Sequence, residues 1–265
     1  MSDELNVVYE TIDKQHRDEP ALTRRRMVAG AAATLGGMGL LGVGSARAAS
    51  KSAGVNDPQT ILNVAATAEV LATIVNTVGY HDVKFKGDMV TYANIRAAAR
   101  EELVHYKVLV GYGAVPLTKK IWVPDEVFTN LTSLLSTLEV GDQIFVNAYL
   151  IATKTWGNLG NGELATIAAE FMGVEAVHRA LARQSLGKLG NDRVFMKFDQ
   201  REFAFDAPNF RQKGFDDITV AATQLQGFGF GFGVKGSKPG RFYDFDEVSK
   251  RTPGARLNTY RPDAD

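Results

Sequence analysis

"EELVHYK" at residues 101–107 and "EAVHR" at 175–179 each place a Glu three positions ahead of a His. Residues three apart on an α-helix share a face and lie about 4.5 Å apart along the axis. Glu102 and His105 therefore point the same way, and so do Glu175 and His178. The faces they share are apolar. The first stripe runs Ile95, Ala98, Ala99, Glu102, His105, Leu109, and the second runs Ile167, Phe171, Val174, Glu175, His178, Leu181. Two carboxylates and two imidazoles are thus predicted on buried helix faces. A buried carboxylate without a compensating positive charge costs several kcal/mol.

Glu69 adds a third buried carboxylate. It stands among Ala65, Ala66, Ala72 and Thr73, on the apolar stripe of a helix expected over 57–78, with Asp57 as cap, Pro58 in the first turn and Gly79 as its end. The helix carrying Glu102 is expected over 88–110, and the helix carrying Glu175 over 163–186. Between them lies a loop with Pro116 and Pro124. A short helix is expected over 125–135, and then a third long helix running to Trp156, opened by Ser136 and Glu139 as a capping box. Gly141 weakens its first turns. Asp142 falls in register with Phe145, Val146, Tyr149 and Ala152 and is the inward carboxylate of this helix. Its arm is about 1.5 Å shorter than that of Glu, and Glu139 is the alternative. Four amphipathic helices with short and medium loops predict an all-α fold, a four-helix bundle over residues 49–189.

Two accounts compensate the buried carboxylates. One is a metal, since carboxylate and imidazole together suit iron and manganese. The other is a set of buried ion pairs with Arg96, Arg100, Arg179 or Arg183.

The order Glu69, Glu102/His105, Asp142, Glu175/His178 resembles the ferritin-like superfamily, whose di-metal bundles draw one Glu from each of two helices and Glu-x-x-His from each of the other two. The "NAYLIAT…EAVHRALAR" runs and the leader described below are similar to its exported, desiccation-associated branch. The resemblance covers roughly residues 57–187. It implies a dinuclear, or degenerate mononuclear, iron or manganese centre acting on dioxygen or peroxide in stress protection. Glu102 and Glu175 would be bridging carboxylates, His105 and His178 terminal imidazoles, and Glu69 and Asp142 terminal carboxylates. Asp142 stands where the family has a Glu, which bears most on the second metal position. The implied partners are a metal ion and a small-molecule oxidant, with pairing into a homo-oligomer. The alternative reading is a non-catalytic envelope or desiccation-stress protein whose buried charges are structural.

The leader is residues 1–48. "TRRRMV" at 23–28 precedes an apolar, Gly-rich run from Ala29 to Ala46, and Ala46-Arg47-Ala48 is an A-x-A cleavage site. Arg24 and Arg25 before a weakly hydrophobic core read as a twin-arginine signal, handled by the Tat translocase and directing the protein out of the cytoplasm. An uncleaved membrane anchor is the other reading of the same run.

Composition removes several function classes. The 265 residues carry 30 basic and 30 acidic side chains, so no basic excess points to nucleic acid. With no cysteine, thiolate metal sites, iron–sulfur clusters, disulfides and a Cys nucleophile are excluded, and any metal must be held by His and carboxylates. There is no G-x-S-x-G elbow and no Walker loop. From residue 190 the chain becomes rich in Phe and Gly and reads as an irregular C-terminal extension, 190–265, packing on the bundle. It holds a short helix over 215–226 capped at Asp216 or Asp217. Its "GFGFGFG" at 227–233 reads as a strand burying Phe228, Phe230 and Phe232 or as an aromatic loop. A membrane- or partner-touching patch is the sharper reading of that Phe row.

Overall fold

The computed structural model describes residues 56–191 and 214–254. The expected signal at 1–48 and the last residues of the extension lie outside them.

Four long helices dominate: α1 Pro58–Asp82, α2 Met89–Gly111, α3 Leu131–Asn158 and α4 Gly162–Ser185. Each opens on the chemistry its sequence supplies. The Asp57 carboxylate accepts from the amides of Gln59 and Thr60, Asp88 from Thr91, Asn130 from Ser133, and Asn161 from Leu164. Helix α1 packs chiefly on α2, and α3 on α4, with α1 also against α3 and α2 against α4. Helix α1 is long and apolar enough to cross a membrane, yet 89% of its apolar window is buried inside the protein, so it is the core helix of this fold.

Two boundaries differ from expectation. Gly79 does not end α1, which runs one further turn until Val83 turns extended and donates its amide to the Gly79 carbonyl. Gly79 instead serves packing: a Cβ there would stand 2.8 Å from a terminal methyl of the fully buried Leu134 on α3. Helix α3 starts at Leu131, before the Ser136–Glu139 box, because Asn130 caps first and Leu134, Leu135 and Leu138 continue the buried stripe. The helix expected over 125–135 shrinks to a 3₁₀ turn, Asp125–Phe128. Gly141 sits mid-helix, where an added Cβ meets nothing within 4 Å. The same substitution should therefore act in opposite directions. Gly141→Ala is expected to raise stability by ~1 kcal/mol through helix propensity. Gly79→Ala is expected to lower it by ~1 kcal/mol, as overpacking outweighs that gain. Denaturant melts of the two variants check this, and equal shifts would contradict it.

The fold is mostly helical but not all-α, which corrects the sequence expectation. A three-stranded antiparallel sheet joins β1 (Lys120–Pro124) at its centre to β2 (Gly231–Phe232) and β3 (Gly240–Asp244). Ile121 pairs with Phe232 on one side and Tyr243 on the other. The stretch read as a plain loop is thus a strand, since the β-branched and aromatic "KIWV" suits a pleated, half-buried position. The "GFGFGFG" strand shortens to Gly231–Phe232 because Gly229 and Gly233 take φ of 101° and 71°, where extended pairing stops. Phe230 and Phe232 are buried, whereas Phe228 is 45% exposed. The remaining extension forms α5 (Thr219–Gly227), α6 (Phe245–Val248) and a 3₁₀ turn, Ser249–Arg251. Helix α5 starts at Thr219 with no capping side chain on Ile218, while Asp217 accepts from the amide and hydroxyl of Thr219.

Side-chain amides hold these additions to the helices. The fully buried Asn147 of α3 donates to the Phe215 carbonyl at 2.7 Å and accepts its amide at 2.9 Å. On α1, Asn63 accepts the amide of Val115 and Thr67 that of Leu117, both at 2.8 Å, which lays the connection from α2 to β1 across the helix.

Candidate metal centre

The inward faces of α1, α2 and α4 converge on one cluster. Glu69, Glu102, His105 and Glu175 each offer a ligand atom, and these atoms lie within 4.8 Å of one another. The three carboxylates have no exposed surface, and His105 has 4%. His105 turns Nδ1 inward, 3.6 Å from Glu69 Oε1, 3.4 Å from Glu102 Oε2 and 3.4 Å from Glu175 Oε1. His178 stands at the far side of the same carboxylates. Its Nδ1 is 3.1 Å from Glu102 Oε1 and 3.7 Å from Glu175 Oε2. Glu102 and Glu175 therefore each present one oxygen to one imidazole and the other oxygen to the second.

Asp142 on α3 is buried on the His178 side. Burial pushes its carboxyl well above the usual range, and the charges of Glu175 and Glu102 push the same way, against His178 and Arg179. Glu139, the alternative carboxylate, is turned away: it accepts from Arg183 and Lys188. Of the six residues singled out in the sequence, four meet in one cluster. His178 closes one side of it, and Asp142 lines a small space together with His178.

Neighbours orient the donors. His178 shares a proton with Glu101 through Nε2, at 2.7 Å to Oε2. An Nε2–H that donates to Glu101 leaves the Nδ1 lone pair facing the cluster. The sequence reading did not include Glu101; its signal was its place beside Glu102, on the edge of the buried stripe. Its carboxyl is half-exposed, and the hydrogen bond and charge of His178 overcome burial to hold it below the usual range. Tyr149 of α3 donates its hydroxyl to Glu69 Oε1, and burial, with Glu69 next to it, pushes that hydroxyl far up. Phe171 stacks on the His105 ring at 3.9 Å and meets Tyr149 edge-on at 5.5 Å. Replacing Glu101 by Gln is expected to weaken metal affinity about 10- to 100-fold by loosening the ring of His178. A competition titration against a coloured chelator reads this, and unchanged affinity would remove Glu101 from the site.

The donor set fits a metal. Glu69 Oε2, both oxygens of Glu102, both of Glu175, Asp142 Oδ2 and the Nδ1 atoms of both histidines are buried without a well-aligned hydrogen bond, although each Nδ1 stands within ion-pair distance of carboxylate oxygens. Buried polar atoms are rarely left so, and here they are oxygen and imidazole nitrogen atoms facing one another. Three buried carboxyl groups meet two imidazoles, with Asp142 close enough to act on Glu175 and His178, so the cluster can balance added positive charge. The arginines considered as counter-ions are partly engaged elsewhere. Arg96 lies over the rings of Tyr80 and Tyr92, and Arg183 binds Glu139 and the Leu189 carbonyl. Arg179 is buried and acts on Asp142. No family, no curated protein and no solved structure matches the chain.

Proposed function

We propose that the chain is an exported ferritin-like four-helix bundle holding two iron or manganese ions and performing redox chemistry on dioxygen or peroxide in stress protection. The observation that carries this reading is the splay of Glu102 and Glu175, each with one oxygen toward His105 and one toward His178. That is the arrangement two bridging carboxylates require. His105 and Glu69 would complete one metal position, and His178 and Asp142 the other. Ions of iron or manganese held there supply reversible one-electron change toward an oxidant. The chain's own residues position the donors. Tyr149 fixes the orientation of Glu69, Glu101 fixes the ring of His178, and Phe171 covers one face of His105 against water. Export rests on the twin-arginine pattern at Arg24 and Arg25 and on the cleavage site ending at Ala48.

Elemental analysis of the protein produced with iron and manganese both available, together with its optical spectrum, tests the reading. About two ions per chain are expected from the six-ligand rule. An intact helical protein with none would overturn it. In that case the second reading stands, an envelope or desiccation-stress protein with structural ion pairs. Its support is the buried Arg179 beside Asp142 and the Arg183–Glu139–Lys188 network.

A further inference from the structure

The helix stripes that carry the candidate ligands continue past them to one end of the bundle. On α2, Thr91, Asn94 and Ala98 precede Glu102 at helical spacing, and on α4, Leu181 and Ser185 follow His178 in the same way. These side chains do not fill the interior between them. With walls from α1 and α3, they enclose a space of about 30 Å³ that reaches His178. A space of that size holds one molecule about as small as water.

The space leads from the candidate centre toward the surface. Thr91 stands in the first turn of α2, and Ser185 is the last residue of α4, about 10 Å along the axis from His178. Asn94, Leu181 and Ser185 are half-buried at the outer end, whereas His178 at the inner end is buried. The hydroxyls of Thr91 and Ser185 meet at 2.7 Å and join α2 to α4 there. Parting them breaks one side-chain hydrogen bond and leaves the backbone of both helices intact. Further in, the wall on α2 is the methyl group of Ala98, and a longer side chain at that position would take up the space.

We propose that this passage is the entrance to the metal centre and that Thr91, Ser185 and Ala98 set its gauge. It passes dioxygen and hydrogen peroxide and keeps out alkyl hydroperoxides, although the latter carry the same O–O bond. The inference rests on the function proposed above and narrows the substrate to an inorganic oxidant. All three residues lie outside the ligand set, so they act on access and not on the metal.

The test uses the full chain loaded with metal. One readout is the rate at which azide changes the optical spectrum, which reports entry without turnover. The other is the rate of reaction with hydrogen peroxide and with tert-butyl hydroperoxide. In the unsubstituted protein, hydrogen peroxide is expected to react more than about a hundredfold faster than tert-butyl hydroperoxide. Ala98→Leu is expected to slow azide by about tenfold or more at unchanged metal content, because entry then waits on local opening of the bundle. Ser185→Ala parts the hydroxyl pair and is expected to speed azide about fivefold, the worth of one net hydrogen bond. This variant removes a single oxygen, so it keeps the test intact where Ala98→Leu lowers stability. Ala97→Leu, beside Ala98 but outside the lining, should leave the azide rate unchanged. Equal azide rates in the unsubstituted protein, Ala98→Leu and Ser185→Ala, with metal content intact, overturn the entrance and leave the proposed function standing. Equal reactivity toward the two hydroperoxides does the same. An unsubstituted protein that takes up no metal overturns the function and the entrance with it.

Discussion

Glu102→Gln is expected to reduce metal content from about two ions per chain to a small residue, while the metal-free protein becomes less stable. Both effects follow from the position of this side chain. Glu102 is fully buried and places Oε2 at 3.4 Å from His105 Nδ1 and Oε1 at 3.1 Å from His178 Nδ1. It therefore belongs to both proposed metal positions, and a neutral amide in its place weakens both together. By contrast, His105→Ala and His178→Ala each strip one position, and each is expected to retain roughly one ion per chain. Without metal, Glu102 lies beside both imidazoles and holds His178 up against burial, so removing its charge costs stability, as breaking a buried pair commonly does. Metal analysis with thermal melts of the chelated proteins reads both quantities. Full metal occupancy in Glu102→Gln would sink the bridging assignment. A metal-free variant as stable as the parent would show that Glu102 makes no pair with the imidazoles.

The residues of this cluster were legible in the sequence for a simple reason. Helical spacing is short-range, so the stripes containing Glu69, Glu102 and Glu175 could be read from a dozen residues each, and all three side chains are fully buried. Asp142 was legible by the same register. What could not be read depends on partners far along the chain. The strand at Lys120–Pro124 exists because residues 231–232 and 240–244 lie on either side of it, and no local pattern announces a pairing across more than a hundred residues. The role of Glu101 depends on where His178 arrives from another helix. Gly79 carried two meanings, helix stop and close approach, and only the position of Leu134 decides between them. Asn130 and Ser136 are both competent caps, and the earlier one takes the helix start because apolar residues follow it at once. Asn147, polar on a buried stripe, marks the docking point of the extension at Phe215, which no spacing rule within α3 could show.

Chelation is expected to lower the melting temperature by an amount that grows with pH. In the metal-free protein, burial raises Glu69 from 4.5 to about 7, with His105 opposing, and burial likewise drives Asp142 upward. A carboxyl whose folded pKa is raised resists ionisation, so its cost to stability increases as pH climbs from the unfolded value toward the folded one. Burial alone would drive His105 and His178 down. Glu69 beside the first and Glu102 beside the second prevail and hold both well above 6.5. An imidazole raised in this way contributes stability that is whole below its unfolded pKa and is lost as pH rises through the folded one. All four groups act in one direction, so the chelated protein should lose stability steadily from about pH 5 to pH 8. The metal-loaded protein behaves oppositely, because metal competes with protons for these ligands and binds more tightly as they leave. Metal at about a thousand times its dissociation constant adds ~4 kcal/mol, and for a domain of this size that is roughly 8–16 °C in Tm. The gap between loaded and chelated protein should approach that range near neutral pH and narrow toward about pH 5 as the ligands take up protons. Coincident melts across the whole range would mean that the protonated imidazoles and Arg179, not a metal, balance this cluster.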